Sequence, residues 1–149
     1  MNISNSKIAI LIPKIIKFKK SLIRAIILQL AEELQFSIAS IHVSFVDKKE
    51  ILALNGKYLS HHFSTDILTF NYSGSNTDLD GEIIISYEDA VENARRFYTS
   101  ENEEYLRLII HGILHLLGYD DQQKNDKLKM KRKETSLVKK LSTMILNKI

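Results

Sequence analysis

The stretch that leaves this chain least freedom runs from Ser100 to Asp121. Ser100 followed by Glu103 is a capping box, so a helix is predicted over Glu101–Leu117. Gly118 supplies the left-handed residue that closes such a helix. Inside it, His111 and His115 stand four residues apart, a spacing that stacks both imidazoles on one face about one turn apart. Two imidazoles so placed can chelate one divalent cation. The turn at Gly118 can then bring the side chain at position 121 back toward them. A His-x-x-x-His pair with a third ligand six residues on, beyond a Gly, is the metzincin spacing, with the Asp121 carboxylate as third donor here. Three protein donors and one open position describe a catalytic zinc site rather than a closed structural one.

Two other assignments are open at these residues. The histidines also fit a satisfied place on an apolar helix, and Asp120 competes with Asp121 for the third position. The offset favours Asp121 and leaves Asp120 to orient an imidazole N–H from outside the ligand shell. A peptidase of this spacing has Glu directly after the first His as its general base, but position 112 is Gly, and no acid follows Glu104 in the helix. A metallopeptidase would therefore lack its base, whereas metal-assisted hydrolysis of a phosphodiester needs no such residue.

The 149 residues suit one domain, expected to span 1–149, and 44% apolar with 26% charged residues is the mix of a globular protein with a core. With no Cys, disulfide scaffolds, thiolate metal sites and cysteine nucleophiles are excluded. The longest apolar runs, Ile8–Pro13 and Leu22–Leu30, are too short for a membrane span. The first residues lack the pattern of a secretory leader. The expectation is a cytoplasmic protein with its native start and no membrane partner. The net charge of +3 is unevenly spread. Residues 1–31 have basic side chains and no acid, residues 78–104 are strongly acidic, and residues 124–149 are strongly basic. Basic ends can face a polyanion, although a solvated Lys-rich helix surface has the same composition.

The remaining pattern predicts β-α-β-α-β-β-α-α-α. Lys7–Ile12 reads as a strand broken by Pro13. Ser21 is the expected cap of a helix with Leu22, Ile23, Ile26, Ile27, Leu30 and Leu34 on its apolar face. Ile41, Val43 and Phe45 alternate with polar residues as in a half-buried strand. Asp47 with Glu50 opens a short helix through Leu54, and residues 59–65 read as a loop. Ile67–Tyr72 and Glu82–Tyr87 are expected to pair antiparallel across the turn-rich Ser73–Gly81. A helix over Glu88–Phe97 would turn Ala90, Val91, Ala94 and Phe97 inward. Residues 122–147 form a last helix with Leu128, Leu137, Val138, Leu141 and Ile145 as its stripe. The class is α+β: a single domain with a small mixed four-stranded sheet, helices packed on it, and the metal-binding helix near the C-terminal third.

Several blocks, in order, resemble the YbeY family of rRNA maturation factors and metal-dependent endoribonucleases. They are Leu54-Asn55 with Tyr58, Thr65-Asp66-Ile67-Leu68-Thr69-Phe70, Gly81-Glu82-Ile83-Ile84-Ile85-Ser86, Arg107-Leu108, His111-Gly-x-Leu-His115-Leu-x-Gly118-Tyr119-Asp120, and Met130 through Glu134. The resemblance covers most of the chain. It implies a zinc-dependent, single-strand-specific endoribonuclease in rRNA maturation and ribosome biogenesis. One Zn2+ would be held by His111, His115 and Asp121, with precursor rRNA as substrate and the ribosomal small subunit as a partner.

The chain departs from the family at two places. Asp121 stands where the family has a third His, and an anionic donor lowers the Lewis acidity of the ion. Leu59 stands where the family has an Arg that would clamp a phosphate. Lys57, His61 or His62 could take over that role, and Arg107, one turn before His111, could reach the same face, although an outward ion pair with Glu103 is the simpler expectation for it. Thr65 and Asp66 open a strand, where Asp66 can bond a neighbouring loop. Tyr119 can stack on a base or pack against the last helix. A second reading makes the protein a ribosome-associated assembly factor whose metal is mainly structural.

Overall fold

The computed structural model describes residues 7–59 and 65–144. Among the described residues, nine elements follow the expected order: β1 (Ile8–Leu11), α1 (Lys20–Leu34), β2 (Ser37–Val46), α2 (Lys48–Leu59), β3 (Ile67–Asn71), β4 (Asp78–Ser86), α3 (Tyr87–Arg96), α4 (Glu101–Leu116) and α5 (Lys124–Met144). The four strands form one mixed sheet in the order β1-β2-β4-β3. β1, β2 and β4 run parallel, and β3 pairs antiparallel with β4, as expected for two strands joined by a short turn.

Strand alternation sorts side chains between the two faces of the sheet. Ile41, Val43, Phe45, Ile83 and Ile85 point into the main core with α1 and α4. Val46, Leu68 and Ile84 point the other way, where Ile51 and Leu54 of α2 cover them. Helix α4 is the centre of the main core. Leu106, Ile109, Ile110, Ile113 and Leu114 are wholly buried along it, and truncating one such side chain to Ala costs about 2–5 kcal/mol. Gly112 lets the helix lie directly on the sheet. A Cβ there would sit 2.9 Å from Cδ1 of Ile83 and within 3.1 Å of two more of its carbons. Gly81 serves the same approach from the strand side, where a Cβ would meet the Phe70 carbonyl oxygen at 2.6 Å and Leu116 at 2.8 Å.

Several boundaries depart from the sequence expectation. Ser21 does not cap α1: the carbonyl of Lys19 already accepts the N–H of Ile23, so Lys19 is the capping residue and offers no side-chain bond. β2 begins at Ser37 rather than Ile41. β4 extends back to Asp78 and ends at Ser86, whose hydroxyl accepts the Asp89 N–H and so starts a helix at Tyr87. The strand gains length because β2 pairs with it back to Asp78, beyond the last β3 pair at Gly81. Phe97 is 63% exposed rather than inward. α3 ends at Arg96 and the chain turns through a left-handed Tyr98, so the helical period no longer applies there. Leu128 is exposed as well, on the wall of an open cavity. Ile145 lies outside the described residues. No helix among the described residues is long and apolar enough to cross a membrane.

Candidate metal centre

Both ends of α4 are fixed by the bonds its sequence predicts. The Ser100 hydroxyl accepts the N–H of Glu103 at 3.0 Å. At the other end the Tyr119 N–H reaches the Leu114 carbonyl and the Gly118 N–H reaches the His115 carbonyl, each at 3.0 Å. That pair of bonds is the Schellman closure, and it requires the positive φ of Gly118, here 101°. The closure also aims the Tyr119 carbonyl at His115, whose Nδ1–H donates to it at 3.1 Å. His111 has a different partner: its Nδ1–H donates to the Glu134 carboxylate of α5 at 2.6 Å. Both acceptors lack a proton to give, so each ring carries a proton on Nδ1, and in its neutral form each presents its Nε2 lone pair to the same point.

Those two Nε2 atoms lie 3.1 Å apart. Asp121 Oδ2 lies 3.4 Å from that of His115 and 4.0 Å from that of His111. Tetrahedral zinc with ligand bonds of roughly 2.0–2.1 Å spaces its donors by about 3.3 Å. Three electron-rich atoms at such separations repel one another unless a cation or proton lies among them, so the donor set fits a metal ion. His111, His115 and Asp121 are the one group of this kind among the described residues. The rings are about three-quarters buried, whereas the Asp121 side chain is 37% exposed and leaves a way in from solvent. Burial and the neighbouring His111 push the His115 imidazole below its ordinary value, which keeps the metal-binding neutral form present at lower pH.

Behind the cluster is a network of charged side chains. Glu104 and Glu134 are each 2% exposed. Arg107 lies between them, bonding Glu104 through Nε at 2.8 Å and Nη2 at 2.5 Å, and Glu134 through Nη1 at 3.2 Å. Lys131 adds a bond of 3.1 Å to Glu134. Burial alone would raise the Glu134 carboxyl, but the bond and charge of His111, with Arg107 and Lys131, outweigh it and bring the group down to about 2. Glu104 first and then Glu134, through their bonds and charge, hold the Arg107 guanidinium firmly charged against the cost of its burial. The Asn93 amide extends the network, donating to both Glu104 and Asp66.

These contacts correct two expectations. Arg107 does not point outward to Glu103, which bonds Thr99 instead; with two buried carboxylates facing it, Arg107 turns inward. Asp120 orients neither imidazole, since its Oδ1 accepts the Gln122 N–H and helps shape the turn. The orienting groups are Glu134 and the Tyr119 carbonyl. Glu134 has a readable signal: it occupies a core position of α5 in register with buried Met130, Leu137 and Leu141, and a buried acid on a helix stripe needs a partner. Lys57 is exposed, its ammonium 5.2 Å from the Tyr58 ring, and no described contact joins it to the cluster. His61, His62 and the side chain of position 59 lie outside the described residues.

A small mixed sheet, a central helix with two convergent imidazoles and a carboxylate delivered by a glycine turn make a group that could hold one metal ion, as a metal-dependent hydrolase requires. Its comparisons with known proteins narrow that class. The family model described as endoribonuclease YbeY matches residues 2–142. A relative named endoribonuclease YbeY from Chlorobium limicola is 44% identical over 99 residues, 66% of this chain and 68% of that one. Another of that name, from Chlorobium phaeobacteroides, is 33% identical over 124 residues, covering 83% and 87%. A solution structure of a Thermotoga maritima protein superposes with a TM-score of 0.66 at 30% identity, covering 92% of this chain and 90% of that one. The chain belongs to the endoribonuclease YbeY family.

Proposed function

We propose that this protein is a zinc-dependent endoribonuclease that cuts single-stranded segments of precursor rRNA during ribosome biogenesis in the cytoplasm, acting on or beside the small ribosomal subunit. The observation that carries the reading is the convergence of His111, His115 and Asp121 at zinc-like spacing in a chain of an endoribonuclease family.

In this reading His111 Nε2, His115 Nε2 and Asp121 Oδ2 hold the ion. When bound, the ion supplies Lewis acidity toward a phosphodiester and a means of activating water near neutral pH. The protein's own part is positioning. Glu134 and the Tyr119 carbonyl fix the two rings and make them better donors. Arg107 and Lys131 keep Glu134 charged, so that its bond to His111 persists. The exposed edge of Asp121 leaves room for a phosphate. Gly112 disfavours the peptidase alternative: it faces Ile83, so a glutamate there would point into the sheet rather than at the ion.

The test is cleavage of precursor rRNA by the wild-type protein and by His115→Ala. The reading expects zinc-dependent cutting by the first alone; equal cleavage by both would refute it. The assembly-factor alternative is separated by removing zinc from the wild type. Loss of turnover with an unchanged thermal midpoint favours the enzyme, and collapse of the fold favours a structural metal.

A further inference from the structure

Beside the metal cluster lies a cavity of about 450 Å3 that the sequence did not announce. One wall is His111 and Asp121, and the other is Lys124, Lys127 and Lys131 of α5. We propose that this cavity is the subsite for the sugar–phosphate backbone next to the reacting phosphodiester, with the three lysines as its phosphate contacts. The proposal rests on the endoribonuclease reading above and names residues that reading leaves unassigned.

Three features carry it. First, lysines spaced by three and then four residues project from one face of a helix, and here that face looks across the cavity at the candidate metal ligands. Second, Lys124 and Lys127 are exposed and have no ion-pair partner among the described residues, although they lie in a molecule rich in acids. Lys131 is held at the inner end by Glu134 yet keeps 61% of its side chain exposed. Unpaired cations gathered at one wall are placed for an anion that arrives from solvent. Third, Leu128, 47% exposed, puts an apolar surface among the lysines. An aliphatic floor accepts the face of any base and reads none.

The chemistry specifies the occupant. Lysine meets phosphate as a point charge, without the geometric demands of a bidentate guanidinium. A subsite of this kind grips a polyanionic chain irrespective of sequence, and its grip weakens with salt as counterions are released. The volume falls within the roughly 300–1,000 Å3 of sites for small ligands, enough for one nucleotide rather than a duplex.

The test uses zinc-loaded protein and a fluorescent single-stranded oligodeoxythymidylate, which has the same phosphates but lacks the ribose hydroxyl of a ribonuclease substrate. Binding is followed by anisotropy across a salt series. The double variant Lys124→Ala with Lys127→Ala is compared with Lys129→Ala with Lys133→Ala, a charge-matched pair on the same helix that does not line the cavity. Ala is a strong helix former, so both should fold, which circular dichroism verifies. Each phosphate contact on a single strand contributes about 0.7 to the slope of log affinity against log salt, so the first pair should lower the slope by about 1.4 and the control pair should leave it unchanged. On RNA, the first pair should raise KM and spare kcat. Equal slopes for the two pairs, or no binding by the wild type, would overturn the proposal. Because anisotropy reads binding, on a probe whose length is checked after the titration, that result is independent of whether the protein cleaves RNA.

Discussion

Helix α4 presents two faces to two different environments. One face, with Leu106, Ile109, Gly112 and Ile113, is dry and packs on the sheet with nothing to ionise. The other, with Glu104, Arg107, His111 and His115, meets α5 and solvent through hydrogen bonds and charge. The first face is complementary to one partner, the sheet, at sub-ångström tolerance around Gly112. The second is complementary to groups supplied by a turn and by another helix. The contrast teaches that the metal donors are held by a framework that does no chemistry. Damage to the two faces should therefore separate in experiment, with stability lost from one and function from the other.

The sharpest separation is expected from His115→Ala. RNA cleavage should fall at least about a thousandfold, as for loss of an essential member of a catalytic group, while the thermal midpoint of the metal-free protein stays near that of the wild type. Gly112→Glu should do the reverse. It forces a charged side chain against buried Ile83, and chemical denaturation should show a loss of about 4 kcal/mol or more, the range of a buried unpaired charge. Leu114→Ala is the milder version, costing about 2–5 kcal/mol in the same assay with zinc stoichiometry kept.

The smallest effect is expected where the faces meet the network. Glu134→Gln removes the charge behind His111 and should weaken zinc affinity about 10–100-fold by competition titration. It should also change the acid limb of stability. The Glu134 carboxyl lies near 2 when folded against an ordinary value of 4.5. Its contribution is therefore whole above about pH 4.5 and is lost as pH falls toward 2. Melting curves of the metal-free wild type should drop across that window, and those of Glu134→Gln should drop less.

The reading of the sequence reached furthest where the signal is local. The capping box at Ser100 and Glu103, the glycine closure at 118 and the four-residue step from His111 to His115 each need only neighbours along the chain; the first two are found with the bonds they imply, and the step brings the two Nε2 atoms to 3.1 Å. The order of the elements among the described residues and the antiparallel β3–β4 pair follow from the same local periodicity. What was not legible depends on partners distant in sequence. Arg107 turns inward because Glu134, twenty-seven positions on, is buried beside it. β4 grows backward to Asp78 because β2 pairs with it there. Leu128 looks like a core residue on a helical wheel and is instead 47% exposed on the wall of an open cavity. Asp120 and Asp121 are adjacent and chemically alike. Only the turn geometry separates the one that bonds its own backbone from the one that faces the imidazoles.

Metal analysis of protein purified without chelator tests the central claim most directly, with Asp121→Ala measured in parallel. The account predicts one equivalent of zinc in the wild type and far less in the variant, with both chains folded. A folded wild type that holds no divalent metal and takes up none on titration, or a variant that retains a full equivalent, would contradict it.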